Sequence, residues 1–146
     1  MKVDFYVFDA AGKLPALRYA CGLIERAYTA KEPVYVHAAS KAEAEHFDTL
    51  LWTFKDDSFI PHQLFDSENP APVEIGYQTA PLHSTGLLVN LNPAFPDFYA
   101  QYGRIIEIVF SDPTMQQLAR ERFRQYREKG CELTTHKINV NEQIEQ

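Results

Sequence analysis

Five basic side chains fall within fifteen residues near the end of this chain, in QQLARERFRQYREKG, residues 116–130. Arg120, Arg122, Arg124, Arg127 and Lys129 outnumber Glu121 and Glu128, so the window carries +3 while the remainder sums to −9. A guanidinium is a planar fork of donors that grips a carboxylate through two parallel, charge-assisted hydrogen bonds. The chemistry on offer is therefore capture of an anionic group. At about 100° per residue of a helix, Gln116, Arg120, Arg124 and Arg127 share a narrow sector, while Met115, Leu118, Ala119 and Tyr126 gather on another. Phe123 stands at the edge of both. An apolar ring beside arginine forks suits a short acidic peptide with an aromatic or aliphatic anchor. The same stripe also reads as a solvated face whose arginines balance Glu121, Glu128 and acids of neighbouring elements. Arg122 points nearer the apolar side, where an arginine pairs with an internal acid or snorkels.

A second cluster lies in LLWTFKDDSFIPH, residues 50–62. The only tryptophan, Trp52, is off the stripe of Phe47 and Leu51, and Phe59, Ile60 and Pro61 follow. Such aromatics are enriched at interface hot spots and serve equally as lids on a core; the residues alone lean toward the lid.

Other reactive types lack the spacing that would let them act together. The turn DAAGKL after the first strand has Gly12 and Lys13 but neither the leading glycine of a phosphate loop nor its Ser/Thr after the lysine. Six glycines in the whole chain leave no glycine-rich cradle for a nucleotide. His37, His46, His62, His83 and His136 sit on separate elements, without a second ligand at metal spacing. LHSTG around Ser84 lacks the first glycine of a nucleophile elbow, and Asp56 and Asp57 are loop neighbours that more commonly cap or solvate. The expectation is a non-catalytic protein with no cofactor, no metal and no catalytic residues. The alternative is a small-molecule- or nucleotide-binding enzyme using the cleft at the carboxyl ends of the strands.

Net charge narrows the partners further. A chain at −6 is poorly suited to wrapping a nucleic-acid backbone, whose affinity comes from neutralised phosphates, so direct nucleic-acid binding is not expected. No apolar run is long enough to span a bilayer, and MKVDFYVFD, with an Asp inside its apolar stretch, is unlike a signal peptide. The expected location is the cytoplasm. Cys21 and Cys131 are far apart and read as buried free thiols.

The elements that position these residues follow from periodicity. Val3–Phe8 and Pro33–Ala38 are short apolar runs that predict strands. Between them Pro15 enters a helix carrying Leu17, Cys21, Ile24 and Tyr28 on one stripe. Ser40 with Glu43 forms a capping-box pattern ahead of Ala44, Phe47 and Leu51, a second helix. Residues 53–72 read as an apolar-rich loop. Val73–Tyr77 and Leu87–Leu91 predict strands joined through a Pro81 and Gly86 turn region, Phe95–Tyr102 a short helix entered at Pro96, and Arg104–Phe110 a strand. The basic window then forms the last helix, capped by Ser111 or Asp112 with Pro113 in its first turn. Alternating strands and helices predict an α/β three-layer sandwich, with a mostly parallel sheet and helices on both faces. At 146 residues and 45% hydrophobic content this is one domain, residues 1–138, followed by a polar tail, 139–146, expected to fray.

Taken in order, DFYVFD, SFIPH, APVEI and LARERF resemble the chi subunit family of bacterial DNA polymerase III, a clamp-loader accessory protein, with similarity running to about Lys137. The resemblance implies a nucleotide-binding-like fold without the phosphate loop. It also implies a bridging role between two partners, the acidic C-terminal tail of single-stranded DNA-binding protein and the psi subunit of the clamp loader. Carried over by residue, the tail site looks like Val109, Arg120, Phe123 and Arg124, and the psi-facing patch looks like Trp52 and Phe59. Gln116 departs from the pattern, since some relatives carry lysine there.

Overall fold

A computed structural model describes residues 1–9, 12–57, 59–65, 71–78 and 84–139. In chain order the elements are β1 (Lys2–Phe8), α1 (Lys13–Thr29), β2 (Val34–His37), α2 (Lys41–Thr53), β3 (His62–Leu64), β4 (Val73–Gly76) and β5 (Leu87–Asn90). One turn of 3₁₀ helix (Tyr99–Gln101), β6 (Arg104–Val109), α3 (Pro113–Glu128) and β7 (Glu132–Ile138) complete the chain. The seven strands form one sheet in the order β3-β4-β2-β5-β6-β1-β7. Every pairing is parallel, so among the described residues the sheet is parallel throughout rather than mostly so.

Side chains alternate across a strand, so each strand feeds two cores. On one face Phe8, Val36, Ile75, Val89 and Ile106 meet Ala20, Ile24, Phe47 and Leu51 of α1 and α2. On the other, Val3, Phe5, Tyr35, Leu88, Ile105 and Val109 meet Ala119 and Tyr126 of α3 and Tyr102 of the segment before β6. Helices therefore cover both faces, as the alternation of elements predicts. Met115 is the exception on α3: it packs into the α1/α2 core, not with Ala119 and Tyr126.

The caps explain where the helices begin. Ser40 Oγ accepts from the Glu43 amide at 3.2 Å, the helix-starting half of the predicted capping box. Asp112 rather than Ser111 caps α3, its Oδ1 accepting from the amides of Thr114 at 2.7 Å and Met115 at 3.2 Å. Pro113 occupies the first turn, where its missing N–H costs no hydrogen bond. Gly86 enters β5 with φ 87°, and a Cβ there would run into the Pro33 carbonyl, so only glycine fits.

Three segments differ from expectation. Residues 53–72 hold the three-residue strand β3, which among the described residues pairs only with β4 and forms an edge of the sheet. The expected helix over 95–102 is reduced to a single 3₁₀ turn, closed by the Gln101 amide on the Phe98 carbonyl at 3.1 Å and the Tyr102 amide on the Tyr99 carbonyl at 3.2 Å. Its aromatics, Phe95, Phe98, Tyr99 and Tyr102, lie against the sheet instead of following a helical stripe. Residues after the last helix, given no element above, form β7, the other edge strand, which pairs with β1 from Lys2↔Glu132 to Phe8↔Ile138. Pro81, part of the DAAGK turn and residues 140–146 of the tail lie outside the described residues.

Candidate protein-binding site

The basic helix is aimed by a buried polar network. β6 turns Glu107 toward α3, where it is 0% exposed. Arg122 Nε donates to Glu107 Oε1 at 3.0 Å, Tyr126 Oη donates to Oε2 at 2.8 Å, and Asn90 Nδ2 donates to both oxygens at 3.0 Å. Arg122 Nη1 also reaches the Pro93 carbonyl at 2.7 Å. Burial pushes the Glu107 carboxyl up; Arg122, Asn90 and Tyr126 pull it back. Every one of these contacts is a donor, so the site is built for the carboxylate. Burial and the neighbouring carboxylate raise the Tyr126 phenol, keeping it a donor. Arg122 is thus the inward-pointing arginine read from the sequence, and its anchoring fixes the rotation of α3.

With Ala119, Arg122 and Tyr126 turned in, Arg120, Arg124 and Arg127 are exposed. Phe123 is half-buried, its ring 5.3 Å from that of Phe5. A satisfied structural arginine in this fold looks like Arg104, which forks onto Glu32 at 2.8 and 3.2 Å. Arg120 differs: among the described residues it forms no ion pair, only a 3.4 Å contact from Nη1 to Gln117 Oε1.

Beside Arg120 a groove of about 410 Å³ runs between α3 and β7. Val7 and Val109 form its floor; Gln116, Ala119, Arg120 and Phe123 line one wall, Thr135 and Lys137 the other. Val109, Arg120 and Phe123 are therefore brought together as the resemblance implied. Arg124 is not in the lining and stands outside on the exposed helix surface. Val7 lies in the expected first strand but was not singled out, and Thr135 and Lys137 were missed because β7 was not recognised; the β-branched Thr134 and Thr135 between Leu133 and Ile138 were the available signal.

The aromatic cluster occupies the opposite end of the sheet. Trp52 is 49% and Phe59 83% exposed, and their rings meet edge to face at 6.3 Å. This exposure is that of a surface patch rather than a core lid. His62 of β3 holds the patch from beneath: its ring lies 4.3 Å from Trp52, Nδ1 lies 2.6 Å from the Ile60 carbonyl and Nε2 2.9 Å from the Asp48 carbonyl.

The cleft at the carboxyl ends of the strands, between the starts of α1 and α2, holds only about 120 Å³. Lys13 closes it, pairing with Glu43 at 3.3 Å and lying over the Phe110 ring at 5.3 Å. Cofactor and substrate pockets run to about 300–1,000 Å³, so a nucleotide does not fit there as it stands. A second hollow, of about 320 Å³ and so at the low end of that range, lies at the carboxyl ends of β3 and β4 beside the start of α2, lined by Lys41, Leu64, Phe65, Gly76 and Tyr77 among others. No group of three His, Cys, Asp or Glu among the described residues is arranged to hold a metal. Cys21 is buried as expected, which pushes its thiol up to about 12, far from a nucleophile's range, whereas Cys131, just after α3, is only half-buried. No helix among the described residues is long and apolar enough to cross a membrane.

Fold and surface together define an open, parallel α/β protein without a phosphate loop, carrying a cationic groove and an exposed aromatic patch. Residues 1–134 match the family model described as DNA polymerase III chi subunit, HolC. The chain is 38% identical over 137 residues to the DNA polymerase III subunit chi of Pseudomonas aeruginosa, covering 94% of this chain and 96% of the relative. It is 31% identical over 138 residues to that of Haemophilus influenzae, at 92% and 96%, and 29% identical over 139 residues to that of Escherichia coli, at 90% and 94%. The chain belongs to the DNA polymerase III chi subunit family.

Proposed function

We propose that this protein is a non-catalytic accessory subunit of the replicative polymerase assembly, acting in the cytoplasm as an adaptor between two proteins. The α3/β7 groove takes the acidic C-terminal tail of single-stranded DNA-binding protein, and the Trp52/Phe59 patch takes the psi subunit of the clamp loader. The observation that carries the reading is Arg120, exposed and without an ion pair among the described residues, at the lip of a hollow floored by Val7 and Val109. An incoming C-terminal carboxylate meets the guanidinium while its last side chain enters the hollow against Phe123. Arg124, outside the lining, contributes by long-range attraction, which salt screens.

Isothermal titration with an acidic tail peptide ending in phenylalanine tests this. Arg120→Ala is expected to weaken binding by about tenfold or more, and added salt to weaken the wild-type interaction. Equal affinity in wild type and Arg120→Ala would remove the groove assignment.

A further inference from the structure

Lys137 faces the groove from the edge strand, a position that neither the arginine stripe nor the aromatic motif predicts. In the parallel register Val109 pairs with Val7 and Val7 with Lys137, so the three form one row across the sheet. Two inter-strand spacings, about 10 Å, separate the ends of that row. The row runs from a buried valine, through a half-buried one, to an exposed lysine. Arg120 approaches the same hollow from the helix above. Among the described residues the lining contains two cations on opposite walls, apolar groups between them and no carboxylate. Among the described residues Lys137 has no ion-pair partner. In a chain of net charge −6 this is a local inversion of sign, maintained on two elements at once.

We infer that Lys137 is a specificity-determining residue of the groove, a second cationic jaw that holds a different carboxylate from the one held by Arg120. The groove then selects a peptide end with two negative groups around one apolar side chain: a free terminal carboxylate on the Arg120 side and an acidic side chain on the Lys137 side. Arginine suits the first because its fork matches a carboxylate bidentately. Lysine, a compact and mobile point charge, suits an acidic side chain of variable position. The inference rests on the groove reading above and assigns the second contact within it.

The test is titration of the full chain with a short synthetic peptide carrying aspartates ahead of a C-terminal phenylalanine, and with a version in which asparagines replace the aspartates. Lys137→Gln is expected to weaken binding of the aspartate peptide by about three- to tenfold and to flatten its salt dependence, with an unchanged melting temperature. Lys137→Arg should restore the affinity. Against the asparagine peptide, Lys137→Gln should make no difference, because the carboxylate it holds is already gone. Equal affinity of wild type and Lys137→Gln for the aspartate peptide, with Arg120→Ala still impaired, would overturn the role of Lys137 and leave the groove standing. The same fold-loss against both peptides would overturn its pairing with an acidic side chain. No binding of either peptide by the wild type would overturn the groove reading and this inference with it.

Discussion

The groove and the aromatic patch are built in opposite ways. The patch joins Trp52, Phe59 and His62, all within eleven residues, and needs only a local clasp of one imidazole against two carbonyls. The groove assembles β1, β6, α3 and β7, whose residues span positions 7 to 137. Its walls hold station only if α3 keeps one rotation, and a greasy helix face alone does not choose among rotations finely. A buried carboxylate that must be matched by Arg122, Asn90 and Tyr126 does choose, because any other rotation leaves a charge unpaired. Presenting a distant pair of residues thus calls for an internal polar scaffold; presenting neighbours does not.

Removing one member of that scaffold should give the largest effect. Arg122→Ala strands the Glu107 carboxylate and is expected to cost about 3–5 kcal/mol in urea unfolding. Replacing the pair together, Glu107→Leu with Arg122→Met, should recover most of that loss yet leave tail-peptide affinity well below wild type. Wild-type affinity in the double variant would show that the network does not aim Arg120. Next in size, Phe59→Ala should leave the unfolding curve within about 0.5 kcal/mol of wild type, since the ring is 83% exposed. Binding of the psi partner should fall by about 2 kcal/mol by titration, and groove affinity should not change. Loss at both surfaces together would deny that they are independent.

The smallest effect concerns the far end of the scaffold. Asn90 connects through Asn92 to the Ala38 carbonyl and to within 3.5 Å of His37 Nε2, and His37 Nδ1 is buried without a hydrogen-bond partner among the described residues. Burial holds the His37 imidazole below its ordinary value of 6.5. On acidification the unfolded chain therefore takes up this proton first. Stability supplied by neutral His37 is present above about 6.5 and lost as pH falls from there through the folded value. The drop in melting temperature between neutral and mildly acidic buffer should shrink in His37→Asn. An unchanged drop would assign the acid sensitivity to other groups.

The same contrast governs what the letters reveal. Short apolar runs such as Val3–Phe8, the Ser40–Glu43 pair and the Asp112–Pro113 start are local signals, and the layered parallel fold follows from them. Arg122 was readable as an inward residue because it sits off the cationic stripe. β7 was not, because an edge strand is half solvated: Thr134, Thr135, His136 and Lys137 dilute the apolar alternation to Leu133 and Ile138. β3 is only three residues, preceded by Pro61, below the length at which alternation registers. The helix half of the groove was thus visible in one dimension. Its other half needed the register that lays Lys137 beside Val7.

The order of the strands carries a mechanical consequence. β3, which backs the aromatic patch, and β7, which walls the groove, are the first and seventh members of one hydrogen-bonded sheet. Six steps of about 4.8 Å put roughly 29 Å between them. The two proposed surfaces are therefore joined through one continuous hydrogen-bonded sheet. On the proposed reading each partner binds independently of the other, and the molecule serves as a spacer of set length rather than a switch.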